Sequence, residues 1–421
     1  MWTSNWRCVG LLVAGLFGAS LSGAEELPVG TTIGPDNLAQ VLDESFDGHR
    51  IGDMLSDPMQ MWIRDFNLTM RLAKPGDYKI PSHLTAATEA NVGQATFNRE
   101  TKLVEGWTAG TPFPPDQIDI NDPDAGYKAA YNFFYTPAFR NDSAEFDSHT
   151  ILIGAKRGLE QTQKLINYQY TMQGRTSAGP LNLDPDILKK QLVVVQSPYD
   201  VAGLGSFNIR YANGKQDNAW AYIKSVRRVR RISGNFWMDP VANLDLLGDD
   251  NGLIDASPSW YADVKLLGVQ HILAVPNTPG MVDPENLGAR IDLVNPPHWN
   301  PINSDWEPRE VFVLRIDYPE VHPYSYKIVY MEKGFPQNWL GEMYDKKEQL
   351  WRIGLFMGIQ METENGEPAM AFSQVPVCDF QRLHCSQITV TALRLNNKEL
   401  RAQDFSERNI EKVAKGQLFA F

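Results

Sequence analysis

The stretch Ile166-Asn167-Tyr168-Gln169-Tyr170-Thr171-Met172 alternates large apolar and polar side chains without a break. Successive side chains on a strand point to opposite faces, so this run reads as a β-strand with one greasy face and one polar face. The pattern recurs along the chain. Phe207, Ile209 and Tyr211 alternate with Asn208 and Arg210, and Asn213-Gly214 follows as a hairpin-type turn. Trp220, Tyr222 and Val226 lead the next run. Further strands are expected over 311–318, 324–331, 339–344, 350–361 and 388–395, with turns at Asp345-Lys346-Lys347 and Asn365-Gly366. Consecutive hairpin spacing implies an antiparallel sheet rather than βαβ units. The expected fold is mainly β with α (α+β): one large curved antiparallel sheet or half-barrel covered by a few helices.

The helical signals lie mostly before residue 136. Leu38, Val41, Leu42 and Phe46 suit a short amphipathic helix, and Ser56-Asp57-Pro58 opens a second with Met59, Trp62, Ile63 and Phe66 on one face. Leu68, Met70 and Leu72 then alternate. A Pro- and Asp-rich loop spans 111–123, and a helix carrying Tyr127, Tyr131, Phe134 and Tyr135 stops before Pro137. The tail 406–415 reads as a further helix. Residues 25–123 are thus expected to form a mixed helix and strand lid over the sheet-forming residues 124–421.

The chain is expected to begin with an export signal. A positive start ending at Arg7 precedes an apolar run from Cys8 to Leu21, and Ser22-Gly23-Ala24 offers the small residues a signal peptidase accepts. Residues 1–24 are expected to be a signal peptide cleaved after Ala24, leaving a periplasmic protein. An uncleaved anchor is the alternative, though the run is short for a membrane span.

Removing residues 1–24 takes away one positive charge, so the net −12 becomes −13, with 38 basic and 51 acidic residues. Such a surface repels nucleic acid, so no nucleic-acid partner is expected, and an anionic partner must meet a local basic cluster. A hydrophobic fraction of 43% is ample for a large core and excludes global disorder. With Cys8 gone, Cys378 and Cys385 form one leftover pair. In an oxidising compartment this argues for a disulfide; a metal site would want more ligands than these two and His384.

Catalytic constellations are missing. Gly203-Leu204-Gly205-Ser206-Phe207 misplaces the serine of a nucleophile elbow, and no His-Glu-x-x-His, phosphate loop or dinucleotide fingerprint occurs. No cofactor, no metal and no catalytic residue are expected, although two carboxylates meeting in space would escape this reading. Asp249-Asp250-Asn251-Gly252-Leu253-Ile254-Asp255 resembles a calcium loop faintly, but Leu247 and Pro258 occupy ligand places, which favours an acidic turn.

The outstanding polar feature is Ser225-Val226-Arg227-Arg228-Val229-Arg230-Arg231. On a strand, Arg228 and Arg230 share one face, and simple parity puts them with Trp220, Tyr222 and Val226. The cluster is either an anion clamp or an ion-pair ladder. If the apolar faces enclose a cavity rather than a dry core, its wall or mouth is expected from Tyr168, Tyr170, Phe207, Tyr211, Trp220, Tyr222, Arg228 and Arg230.

The segment Tyr199-Asp200-Val201-Ala202-Gly203-Leu204-Gly205, then Trp220-Ala221-Tyr222 and Arg227-Arg228-Val229-Arg230-Arg231, resembles a large uncharacterised proteobacterial family. Its members are labelled outer-membrane lipoprotein-sorting-like proteins with a domain of unknown function. Trp306-Glu307-Pro308-Arg309, Glu342-Met343-Tyr344-Asp345 and Leu350-Trp351-Arg352 add to the likeness. The resemblance implies the architecture of periplasmic lipoprotein-localisation carriers, an antiparallel half-barrel holding acyl chains, here over 124–421. It also implies a non-enzymatic carrier of a lipid, acyl chain or terpenoid-like molecule, serving transport to or from the outer membrane. The partners would be that hydrophobic molecule and an envelope transport system or outer-membrane protein. A periplasmic hydrolase or isomerase working in the same cavity is the rival reading. An outer-membrane barrel, suggested by terminal Phe421, is disfavoured because the last alternating piece is too short.

Overall fold

The alternating run at 166–172 closes the strand Gly158–Thr171, near the middle of a 16-stranded sheet. The computed structural model describes residues 26–137, 141–181, 183–224, 227–232, 234–241 and 244–415. The expected signal peptide, Ser225, Val226 and Phe421 lie outside the described residues. From one edge the strands run Thr32–Ile33, Met70–Leu72, Asp305–Asp317, Tyr326–Glu332, Asn338–Tyr344, Leu350–Leu355, Pro368–Asp379 and His384–Leu395. They continue through Ser143–Gly154, Gly158–Thr171, Ile187–Ser197, Gly205–Tyr211 and Asn218–Ile223 to the other edge, Arg228–Ile232. Asp263–Ala274 branches off Asp305–Asp317, and Met357–Glu362 pairs with Pro368–Asp379.

Two long meanders make this sheet, and it does not close into a barrel. The first runs from Ser143 to Ile232; the second starts at Asp263 and returns to His384–Leu395, which pairs antiparallel with Ser143–Gly154. The expected α+β class with few helices is what forms. One correction concerns strand direction: Met70–Leu72 runs parallel to Asp305–Asp317, so the sheet is mixed. The N-terminal region thereby contributes strands to the sheet as well as helices around it.

Local chemistry explains most element ends. Ser56 Oγ accepts from the Met59 amide at 3.3 Å and caps the helix Asp57–Phe66, whose Met59, Trp62 and Ile63 are buried. Trp62 also donates its indole N–H to Asn300 at 2.8 Å. The first helix is shorter than expected: it ends at Val41, and Phe46 lies in the two-residue strand Ser45–Phe46. The helix Ser82–Asn91 escaped the sequence reading because it buries only Leu84 and so has no apolar stripe. The aromatic helix forms as Ala125–Tyr135. The expected 350–361 strand is two strands, Leu350–Leu355 and Met357–Glu362, broken at Phe356.

The disulfide forms. Cys378 and Cys385 sit directly opposite each other on Pro368–Asp379 and His384–Leu395, both fully buried. It staples the turn between the last two strands.

Candidate functional site

Both faces of the first meander are covered, by different parts of the chain. On one face, cross-strand partners line up as Tyr168, Leu192, Phe207 and Trp220. Leu400, Phe405, Ile410 and Val413 of the C-terminal segment pack onto Tyr168, Tyr170, Leu192, Val194, Phe207 and Tyr222 in one apolar cluster. Phe405 and Ile410 are 1% and 0% exposed. Burying each such side chain stabilises by about 1.5–3 kcal/mol, enough to hold a five-residue helix in place.

The other face borders a cavity of about 430 Å³. This lies within the ~300–1,000 Å³ common for small-molecule sites. Its wall is built from successive rows across the strands. Lys189 pairs with Arg210 in the first row. Gln169, Gln191 and Asn208 make the second. Asn167, Val193, Ser206 and Ala221 make the third, and Leu165 with Val195 the fourth. All of them line the cavity, with Leu204, Phe356, Phe372 and Ile388 closing the apolar side. Charge therefore falls along the strand direction, from ions through amides to mainly aliphatic side chains, with the hydroxyls of Ser148 beside Leu165 and of Thr150 beyond it.

The charged row is paired within itself. Arg210 donates from Nε to both carboxylate oxygens of Asp217, at 2.9 and 2.8 Å, and from Nη2 to Asp255 at 3.0 Å. Lys189 Nζ reaches the same Asp255 at 3.4 Å. Burial opposes the charge on Arg210, but Asp217 and Asp255 more than offset it and hold the guanidinium pKa above its ordinary value. Two cations face two carboxylates, so this end carries no net charge. The ring of Phe134, on the Ala125–Tyr135 helix, lies 5.9 Å from the guanidinium. Elsewhere on the wall, the Thr150 hydroxyl is buried with no hydrogen-bond partner among the described residues.

Opposite the sheet, the cover comes from residues 236–241 and 244–255: Phe236, Val241, Leu246, Gly248, Asn251, Gly252 and Asp255 line the space. No residue of 25–123, the expected lid, appears in the lining. The cover is pinned by a buried polar network. Asp249 accepts from its own backbone at Asp255 and Ala256 and from Tyr261 at 2.8 Å, and Tyr318 donates to its other oxygen. Lys327, on the sheet, donates to the Leu253 carbonyl at 2.9 Å and pairs with Asp250 at 2.8 Å and Asp249 at 3.2 Å. Burial opposes ionisation of Asp250, yet Lys327 and Arg352 outweigh it and hold its carboxyl below the usual range. The acidic stretch is thus an anchor, its oxygens taken by Lys327 and three tyrosines. Beside it His322 stacks on Tyr318 at 4.0 Å and on Trp237 at 4.8 Å, and burial pushes its pKa down to about 3.

The eight residues expected around a cavity fall in two groups. Tyr168, Tyr170, Phe207 and Tyr222 form the cluster under the C-terminal segment, with Trp220 packed at its margin 5.5 Å from Phe207. Tyr211 is buried and accepts from Asn218 at 2.6 Å. None of these six lines the 430 Å³ cavity, although Tyr222 borders a separate hollow of about 980 Å³ with Arg227 and Val413. Arg228 and Arg230 lie on the edge strand, exposed and without an ion pair or hydrogen bond among the described residues. Arg230 pairs across to the cavity-lining Ala221, whereas Trp220 faces Arg231 and Tyr222 faces Val229. Arg228 and Arg230 therefore share the cavity face, and the aromatic residues have the other one. Simple parity fails because the chain turns through Arg227 at φ 50° before the strand resumes. Lys189, Arg210, Asp217 and the three amides were not among the expected site residues, because a polar position on an alternating strand carries no local sign of facing an enclosed space.

A single open sheet with a cavity held between one face and a pinned loop defines the class. Within it, the chain belongs to the family described as protein of unknown function (DUF1329), whose model matches residues 32–411. This is the family that the arginine segment and its upstream tryptophan resembled. Among solved structures the chain is similar to a DUF1329 family protein from Desulfovibrio piger, at 18% identity over 69% of this chain and 100% of that one, with a TM-score of 0.48. It is also similar to a LolA superfamily protein from Nitrosomonas europaea, at 11% identity over 65% of this chain and 94% of that one, TM-score 0.39. No curated protein matches the chain.

Proposed function

We propose that this chain is a periplasmic binding protein that carries a hydrophobic molecule to or from the outer membrane without transforming it. One observation supports the reading above all: a 430 Å³ cavity with an aliphatic and aromatic side, between a sheet and a cover that the chain itself pins shut. Burying apolar cargo surface there contributes about 25 cal/mol per Å². Arg230 lies on the exposed edge strand beside the cavity-lining Ala221, and on this reading it and Arg228 would flank the cavity on that side. Export rests on the leader: a protein starting at Glu25 by intact mass is expected from the cell envelope, and a retained leader would contradict the periplasmic part. An envelope transport system or outer-membrane protein would receive the cargo.

The test is occupancy. Native mass spectrometry of protein taken from its own periplasm should show a bound hydrophobic molecule. Ser206→Trp, which fills the wall between Val193 and Ala221, should abolish uptake of a fluorescent apolar probe while the melting temperature holds. Undiminished uptake in a folded Ser206→Trp protein would move the cargo elsewhere. Turnover of a lipid ester, lost on Asp255→Asn, would replace the carrier by a hydrolase.

A further inference from the structure

The cavity is charged at its inner end and mostly apolar at its outer end, where Ser148 and Thr150 are the polar exceptions. Arg210 and Asp217 are 6% and 8% exposed at the side chain, whereas Leu204 at the other end is 37% exposed. A ligand that enters past Leu204 therefore leads with the group that meets Gln169, Gln191 and Asn208. These three amides stand side by side on adjacent strands. They line the cavity and have no hydrogen-bond partner among the described residues. Each offers two donors and an acceptor, and a hydrocarbon placed against them would leave those groups unsatisfied.

The row behind them cannot serve an anion. Neutral amide N–H groups can donate to a carboxylate or phosphate, but burying its full charge here would be strongly favoured only by a cation with spare hydrogen-bonding capacity. Arg210 has given its Nε to Asp217 and its Nη2 to Asp255, and Lys189 leans on that same Asp255. An arriving anion would also face the two aspartates. From these arrangements, and resting on the carrier reading above, we infer that the cargo is an uncharged amphiphile whose hydroxyl, amide or ester group is bound by the Gln169, Gln191 and Asn208 row. Its hydrocarbon body then lies along Val193, Val195, Leu165 and Leu204, toward the mouth.

The test compares ligands of one chain length. A long-chain primary alcohol, the matching primary amide and the matching fatty acid are each titrated against a bound fluorescent apolar probe at pH 8, where the acid is charged. Alcohol and amide should displace the probe at about one tenth of the concentration the acid requires, the scale of one or two hydrogen bonds gained. Gln191→Leu should bring the alcohol and amide to the level of the acid, each displacement being referred to the variant's own probe affinity. Asp217→Asn, if it folds, should raise affinity for the acid alone by freeing Arg210. A wild-type protein that takes the acid as tightly as the alcohol overturns the inference and leaves the carrier reading standing. A protein that takes none of the three, nor the probe, overturns both.

Discussion

Lys327 and Asp250 meet at 2.8 Å with neither side chain exposed, and that contact ties the sheet to the segment roofing the cavity. Asp249 joins the same ammonium group at 3.2 Å, and Tyr324 donates to Asp250 at 2.7 Å. Removing one partner of a buried pair leaves an uncompensated charge, which costs about 3–5 kcal/mol. Lys327→Met should therefore lower the unfolding free energy by about that amount in urea titrations and loosen the cover enough to raise amide exchange at 248–256. A loss below about 1 kcal/mol would show that the network is decoration.

His322 makes stability depend on acidity. Its folded pKa of about 3 lies below the ordinary 6.5, so between those values the unfolded chain binds a proton that the folded chain does not. Stability then falls as pH drops from about 6.5 toward 3, at up to about 1.4 kcal/mol per pH unit from this residue. Above 6.5 the residue adds no slope. Replacing it by a neutral ring, His322→Phe, should flatten the urea midpoint between pH 6.5 and 4 relative to the parent. An unchanged slope would mean that the stacked ring is reached by water.

Arg230 sits on an exposed edge strand with no described ion pair, so its removal orphans nothing. Arg230→Gln should change stability by less than about 0.5 kcal/mol, as surface substitutions do. A much earlier melting transition would reveal a structural ladder in the arginine cluster.

The reading of residues 166–172 carried the strand, the two-faced sheet and the sheet's antiparallel meander, because period-two alternation is a local property of the backbone. It carried no sign for which face encloses space. Tyr168 and Phe207 found their cover in Phe405 and Ile410, some two hundred residues later, and no local pattern announces that partnership. The cavity lies on the polar face, which carries Gln191 and Asn208. Lys327 and Asp249, 78 positions apart, are likewise visible only once the chain is folded. Charge-bearing residues such as Arg210 and Asp217 reveal their role through pairing, and pairing is a property of three dimensions.

Cys378 and Cys385 are expected to be unreactive toward alkylating reagents without reductant, and the staple to contribute about 2–3 kcal/mol. Paired Cys378→Ser and Cys385→Ser changes should lower the urea midpoint accordingly and leave probe uptake intact, because neither residue lines the cavity. Lost uptake in a folded double variant would tie the last hairpin to the cargo.

His149 and Thr389 are hydrogen-bonded neighbours separated by 240 positions, on the two strands that join the meanders. A chain emerging from its N-terminus delivers Ser143–Gly154 early and His384–Leu395 nearly last, so one margin of the first meander must wait bare for most of that interval. Long-range pairing of this kind is paid for in loop-closure entropy before it rewards the fold, and it sets a slow pace. If the chain is exported as proposed above, such slowness is protective, because an exported polypeptide must thread a narrow translocation channel. The suture between the two halves can be drawn only after the final strand has passed, which keeps the chain threadable for as long as threading is required.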